Sequence, residues 1–250
     1  MRIVSLALLL MGILPAIAQD NIVHFSVWQP KPGQAASFED GYHKHLQWHA
    51  ANKDSWSWYG WYFISGPRDG QFIDATFGHS WSDFDHPVNP AGDGADNALH
   101  TEPFANFLKA YKAIRLPCSD PEDTVVLTSK FLRMLTIDVT DRPAAAQLIK
   151  RLLAGYRQKN LVDKALVYEL VDGGPAGQIT ILLNGSSFQD LGKTATFAGD
   201  LLDLDRKTAT APGSRVPGPS AGTTPGPAVL AITAITAETL RFRRDMSRIP

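Results

Sequence analysis

Residues 42–49 read YHKHLQWH, three histidines and a tryptophan in eight positions. A helix turns about 100° per residue, which puts Tyr42, His45 and His49 on one narrow stripe with Phe38. Leu46 and Trp48 flank that stripe, while Asp40, His43 and Gln47 fall on the far side. The stripe carrying Phe38 is the apolar one and should face a sheet, so His43 belongs to solvent and His45 and His49 to the interior. Side chains four residues apart project side by side, and two imidazoles so placed can hold one metal ion or serve as acid and base at a ligand pocket. They can equally be ordinary buried histidines hydrogen-bonded to Tyr42, Tyr59 or Asp74. An HExxH metallohydrolase pattern is absent, because no Glu follows His45.

A metal would need a third ligand, and His79 is the expected one. In "QFIDATFGHSW" strand alternation puts Ile73, Ala75, Phe77, His79 and Trp81 on one face. His79 meets the helix only if that face lies under it; the other arrangement turns it into a barrel lumen. "HSWSDFDHP", residues 79–87, adds Asp83, Asp85 and His86 at a strand exit. "NPAGDGADN" reads as a loop, without the acidic pattern of a calcium-binding one. The run "WSWYGWYF" is an aromatic strand, with Trp58 and Tyr62 on one side and Tyr59, Trp61 and Phe63 on the other. Tyr42, Trp48, Trp58, Trp61, Tyr62 and Trp81 are therefore the candidate walls of a pocket for a flat apolar ligand, with histidine as its polar anchor.

All seven histidines and all six tryptophans lie in the first hundred residues. That asymmetry assigns the chemistry to the first half. A net charge of −1 gives no basic surface for nucleic acid. The sequence has no glycine-rich phosphate motif, GxSxG or CxxC, so nucleotide cofactors and covalent Ser or Cys catalysis have no support. Cys118 is the single cysteine, which excludes an internal disulfide. Residues 1–18 have the short basic start, apolar run and small-residue site of a signal peptide, so the protein is expected to be exported, periplasmic or secreted. The apolar run is too short to span a membrane.

The elements that must position these residues repeat. "NIVHFSVWQ" reads as a strand, "QAASFEDGYHKHLQWHAANK" as a helix, "WYGWYFIS" and "QFIDATFGHSW" as a hairpin, and "ALHTEPFANFLKAYKAI" as a second helix. The second half gives the same order: strand "FLRMLTIDV", helix "RPAAAQLIKRLLAGYRQ", strands "KALVYELV" and "GQITILLNG", a mostly helical "SFQDLGKTATFAGDLLDLD" and the strand-like "AVLAITAITAETLRFRRD". The expected units are 19–117, a connector 118–129 with room for a strand in "TVVLTSK", and 130–250 with a flexible stretch at 210–227. The predicted class is α+β, two ferredoxin-like β-α-β-β-α-β units packed sheet to sheet as a barrel within one chain.

The strand "HFSVWQ", the break Lys31-Pro32-Gly33 and the helix with Phe38 near its start together resemble the opening of the dimeric α+β barrel superfamily. That group includes antibiotic-biosynthesis monooxygenase-like, NIPSNAP-like and EthD-like proteins. The resemblance implies the barrel, and among activities it implies cofactor-free oxygenases, haem-degrading enzymes and dehydratases. The functional expectation is an exported protein that binds a small apolar or aromatic molecule in the first half. The alternatives are a barrel-type oxygenase or lyase using His45, His49 or His79 as acid, base or metal ligand, and a structural envelope protein. A divalent metal or haem is the cofactor class these readings allow.

Overall fold

The computed structural model describes residues 21–211 and 229–250. Residues 1–18, expected as a signal peptide, and most of the 210–227 stretch lie outside these residues. Fourteen elements and one short 3-10 turn follow in chain order: β1 (Ile22–Pro30), α1 (Ala35–Ala51), β2 (Tyr59–Ser65), β3 (Phe72–His79), the 3-10 turn Trp81–Asp85, α2 (Pro90–His100), β4 (Ala105–Arg115), α3 (Thr124–Leu127), β5 (Phe131–Val139), α4 (Arg142–Gln158), β6 (Ala165–Asp172), β7 (Ile179–Gly185), α5 (Phe188–Gly192), α6 (Phe197–Ala209) and β8 (Ile232–Phe242). The eight strands close into one antiparallel barrel in the order β1-β3-β2-β8-β5-β7-β6-β4.

Each half contributes a four-stranded sheet of ferredoxin-like order, β4-β1-β3-β2 and β8-β5-β7-β6. The halves join edge to edge. Trp61 pairs with Phe242 and Phe63 with Leu240 on one side, and Ala113 with Leu170 and Arg115 with Tyr168 on the other. Closure removes the free sheet edges that an open pair would expose. Alternation then assigns every strand residue to the lumen or to the helix side. Val23, Phe25, Val27, Tyr59, Trp61, Phe63, Ile73, Ala75, Tyr111 and Tyr168 fill the lumen together with Leu132 and Met134.

The two outer faces differ. Over the second sheet, α4 presents Ala145, Leu148, Ile149, Leu153 and Tyr156, and α6 adds Phe197 and Leu201. Over the first sheet, α1 presents Phe38, Tyr42 and Leu46 against Trp28 and Phe72. Its next two buried positions along the stripe are His45 and His49. The second layer is closed with hydrocarbon, the first with aromatic and polar groups.

Three expectations are corrected. "ALHTEPFANFLKAYKAI" is not one helix: α2 ends at His100 and Ala105–Arg115 is strand β4. Phe104, Phe107, Leu108 and Tyr111 are spaced as one face of a helix would be, but in the strand Tyr111 points into the lumen and Phe107 and Leu108 are exposed. "TVVLTSK" forms no strand but the one-turn α3, started by Asp123, whose carboxylate accepts from Val125 N at 2.8 Å. "NPAGDGADN" is not a loop but the start of α2. Asn89 caps it by accepting from Gly92 N, and Pro90 occupies the first turn, where no N–H is required.

α1 and α2 cross without an intervening side chain at Gly41. A Cβ built there would lie 1.7 Å from the His100 carbonyl oxygen. In α4, Gly155 has no atom within 4 Å of the same position. Gly41→Ala therefore forces the helices apart and costs at least about 2 kcal/mol as overpacking, whereas Gly155→Ala stabilises by about 0.4–1 kcal/mol through the unfolded chain. Urea denaturation of the two variants checks the opposite signs.

Candidate functional site

The Lys31–Gly33 turn does more than end β1. Lys31 Nζ donates to the carbonyls of Glu102 and Pro103 at 2.8 and 2.9 Å, tying the exit of α2 to the entrance of α1. With Gly41 against His100, this holds the polar face of α2 over the His45–His49 stripe. That face carries Asp93, Asp96, Asn97 and His100, spaced i, i+3, i+4 and i+7.

His45 Nδ1 lies 2.8 Å from Asp96 Oδ2, and the other Asp96 oxygen is 3.0 Å from His100 Nδ1. Asn97 Nδ2 reaches His45 Nε2 at 3.2 Å. His49 Nδ1 lies 2.9 Å from Asp54 Oδ2. Asp54 is itself fixed by Trp58 Nε1 at 3.0 Å and the Trp56 amide at 2.9 Å. The two Nε2 atoms face one another at 3.1 Å, and Asp93 Oδ1 stands 3.5 Å from one and 3.6 Å from the other. His45, His49 and Asp93 thus form a triad whose ligand atoms could hold a metal.

Burial lowers the His45 pKa; Asp96 opposes the shift and His49 adds to it. Burial pushes the Asp54 carboxyl up, but His49, the Trp58 indole and the Trp56 amide outweigh it and hold it at about 2. Asp74 behaves oppositely. Burial drives it up to about 7, against the pull of Tyr42, Trp28, His49 and Ser26. Its Oδ2 accepts from Trp28 Nε1 at 3.1 Å, and its Oδ1 is buried without a hydrogen-bond partner. Burial, with Asp74 beside it, raises the Tyr42 hydroxyl well above its usual value.

These groups surround a cavity of about 300 Å³ between the outer face of the first sheet and the helices α1 and α2. Trp28, Trp58 and Phe107 give it aromatic walls, and Asp74, His45, His49 and Asp93 give it a polar end. Glu102 also lines it, and the described lining contains no Lys or Arg.

Of the residues expected from sequence, Tyr42, His45, His49 and Trp58 meet at this cavity. Trp48 is half-buried behind the histidine pair, stacked on His45 at 6.1 Å and edge-on to His49 at 5.2 Å. Trp61 is on the opposite side of the sheet, in the lumen. Tyr62 packs on Phe72 and under Arg243. Trp81 is 51% exposed in the 3-10 turn. His79 does not follow the Ile73–Ala75–Phe77 face, because the β1–β3 register shifts between Ile22 and His24 and Gly78 adopts φ +76°. The shift brings His79 Nε2 to 2.6 Å from Thr76 Oγ1 and its ring to 4.1 Å from Trp56. The third member of the triad is Asp93, where His79 was expected. Asp93, Asp96 and Asn97 were missed because glycines 92 and 94 suggested a loop; the Asn89-Pro90 start signal was the available clue.

Haem, which the barrel resemblance implies, does not fit this cavity. A haem iron takes an imidazole nitrogen that points at open space. Here each Nε2 points at its twin 3.1 Å away, and propionates would meet Asp74, Asp93 and Glu102 with no described cation in the lining.

No protein-family profile matches the chain, and no curated protein matches it in sequence. Solved structures share its fold. A candidate monooxygenase from Lactobacillus acidophilus NCFM is 7% identical, with TM-score 0.56, 92% of this chain covered and 96% of that one. An anthrone oxidase-like protein is 9% identical, with TM-score 0.51 and 92% and 93% covered. A mutant chlorite dismutase from Candidatus Nitrospira defluvii is 7% identical, with TM-score 0.51 and 89% and 92% covered. These likenesses place the chain in the ferredoxin-like α+β barrel fold.

Asp74 gives the site a pH signature. Its folded pKa of about 7 lies above the unfolded value of about 3.9, so the folded state holds the proton more tightly. The resulting stability is fully present below about pH 4 and is lost as pH rises to about 7. Asp74→Asn lacks this dependence. The melting temperature of the variant should therefore rise relative to wild type by roughly 5–10 °C between about pH 5 and pH 8, corresponding to about 2–3 kcal/mol. Differential scanning calorimetry at the two pH values checks it; parallel curves would contradict the assignment.

Proposed function

We propose that the protein is a barrel-type enzyme, an oxygenase or lyase, acting on a small aromatic molecule held between the first sheet and helices α1 and α2. One observation carries the reading: an aromatic-walled cavity of about 300 Å³ ends at a buried carboxyl whose pKa burial drives up to about 7, with two imidazoles at the same end. The volume is at the small end of the range for ligand pockets, which suits a mono- or bicyclic ring. The barrel fold shared with a candidate monooxygenase and an anthrone oxidase-like protein supports an oxygen-consuming reaction over simple binding.

Each group has a role in this reading. Trp28, Trp58 and Phe107 hold the ring by stacking and edge contacts. Asp74 takes a proton from an aromatic hydroxyl or an activated C–H, for which a carboxyl near neutral pKa is matched. Tyr42, packed beside Asp74 with its hydroxyl pKa raised well above the usual value, stays protonated next to that carboxyl. The histidine pair sits where charge develops on the ligand. Trp61 and the lumen aromatics are structural, because the sheet separates them from the cavity.

The test uses a panel of phenols, naphthols and small hydroxyquinones, with tryptophan fluorescence and an oxygen electrode as readouts. At least one member should quench saturably and be turned over. Asp74→Asn should keep the quenching within about threefold and lose on the order of 10²-fold or more in turnover. A panel with neither saturable quenching nor turnover would overturn the reading.

A further inference from the structure

We propose that His45 Nε2, His49 Nε2 and Asp93 Oδ1 form a binding site for one divalent transition-metal ion, of the zinc or ferrous iron class, opening into the cavity. The inference deepens the proposed function and rests on it only for the use of the ion, not for its binding.

A neutral imidazole carries one N–H, and the partner of one nitrogen fixes the role of the other. Each histidine has a carboxylate oxygen at Nδ1: Asp96 hydrogen-bonds His45 Nδ1 at 2.8 Å, and Asp54 Oδ2 stands 2.9 Å from His49 Nδ1 as an ion-pair contact outside hydrogen-bond geometry. Both carboxylates are anchored from elsewhere, Asp96 by His100 and Asp54 by Trp56 and Trp58. The hydrogen bond puts the His45 hydrogen on Nδ1, and the nearby Asp54 carboxylate favours the same tautomer of His49 electrostatically, which leaves both Nε2 atoms as lone pairs. Those lone pairs face each other at 3.1 Å. Asp93 Oδ1, a buried atom with no hydrogen-bond partner, points at the same spot. The Asn97 amide approaches His45 Nε2 at 3.2 Å, but it is also held by the Asp93 carbonyl at 3.2 Å and offers nothing to His49. Three acceptors converging without a shared proton repel one another, and a cation turns that repulsion into attraction.

Zinc binds imidazole nitrogen and carboxylate oxygen at about 2.0–2.2 Å, so neighbouring ligand atoms around a tetrahedral ion stand about 3.3 Å apart. The triad spacings are 3.1, 3.5 and 3.6 Å. Two imidazoles with one carboxylate leave coordination positions open, as catalytic zinc and non-haem iron sites require. Asp96 and Asp54 then act as the outer carboxylates that orient metal-bound histidines and raise their basicity.

The charge of the cavity also favours a cation. Asp93 and Glu102 line it with no described lysine or arginine. A substrate that loses a proton there becomes an anion beside carboxylates. An ion on the triad reverses the local sign and holds the deprotonated oxygen, which the protein groups alone would repel.

The test starts from untagged protein stripped with a chelator and dialysed. Zinc, cobalt(II) and magnesium are titrated separately by calorimetry, with bound metal counted by mass spectrometry, and iron(II) is added under anaerobic conditions. The expected result is one zinc, cobalt or iron per chain, no magnesium, and a visible cobalt spectrum of low-symmetry four- or five-coordinate type. Asp93→Asn and His49→Ala should each weaken zinc by at least about 100-fold, while His43→Ala and His79→Ala leave it within about twofold. Asp93 is partly exposed, so its conservative variant reads the site even if a histidine variant unfolds. Absence of stoichiometric binding by folded protein, or binding that survives Asp93→Asn and His49→Ala, would overturn the proposal. Aromatic quenching that persists in stripped protein would leave the substrate reading standing if the metal site fails. Stoichiometric metal without any aromatic ligand would do the reverse.

Discussion

The site depends on how closely α2 lies against α1. Gly41 lets the backbones touch at the His100 carbonyl, and Lys31 fastens the chain where α2 ends. α2 buries none of its own side chains, so apolar packing does not hold it in place. Its attachment is polar, through Asp96 to His45 and Asn97 to the same ring. The contacts that fix the helix are therefore the contacts that build the site, and one cannot be altered without the other.

The second half has the same topology without the histidine–carboxylate cluster. There the helix pair meets through Tyr156 and Phe197, with ring centroids 4.9 Å apart, over leucine and isoleucine. Its buried acid, Asp205, is spent on the backbone amides of Ala231 and Ile232, which start β8. That carboxylate is structural because its acceptor capacity is used by fixed N–H donors. In the first half, the corresponding space holds carboxylates with unspent capacity: Asp74 Oδ1 and Asp93 Oδ1 both lack partners. Buried acceptors of that kind cost stability unless a ligand, proton or ion meets them. The asymmetry of histidine and tryptophan along the chain has its counterpart in the energetics of the two layers.

The barrel makes this division workable. A closed sheet needs a filled lumen, and both halves supply residues to it, so the hydrophobic core does not depend on the outer face of the first sheet. Polar and aromatic groups over β1 and β3 are tolerated because the stabilising burial lies elsewhere. A site placed on the helix side of one sheet is also fixed by rigid elements, with the strands and α1 supplying Trp28, Asp74, His45 and His49.

By itself, the sequence determined the α+β class, the two-fold repetition of elements, the face of α1 and the half in which histidine and tryptophan gather. Those features follow from local periodicity: helix spacing put Phe38, Tyr42, His45 and His49 on one stripe whatever they later touched. Only the tertiary structure decided the partners. Asp93 and Asp96 lie about fifty positions from the histidines in sequence, on a helix whose glycines disguised it, and Asp74 gained its near-neutral pKa from burial that no local pattern encodes. A bulge at Gly78 took His79 off the lumen face of Ile73, Ala75 and Phe77 and set it against Thr76 and Trp56, because one irregularity in a strand of period two reverses the face of every residue beyond it. Spacing along the chain sets which way a side chain points; what it meets there is set by the closure of the barrel and the approach of two helices.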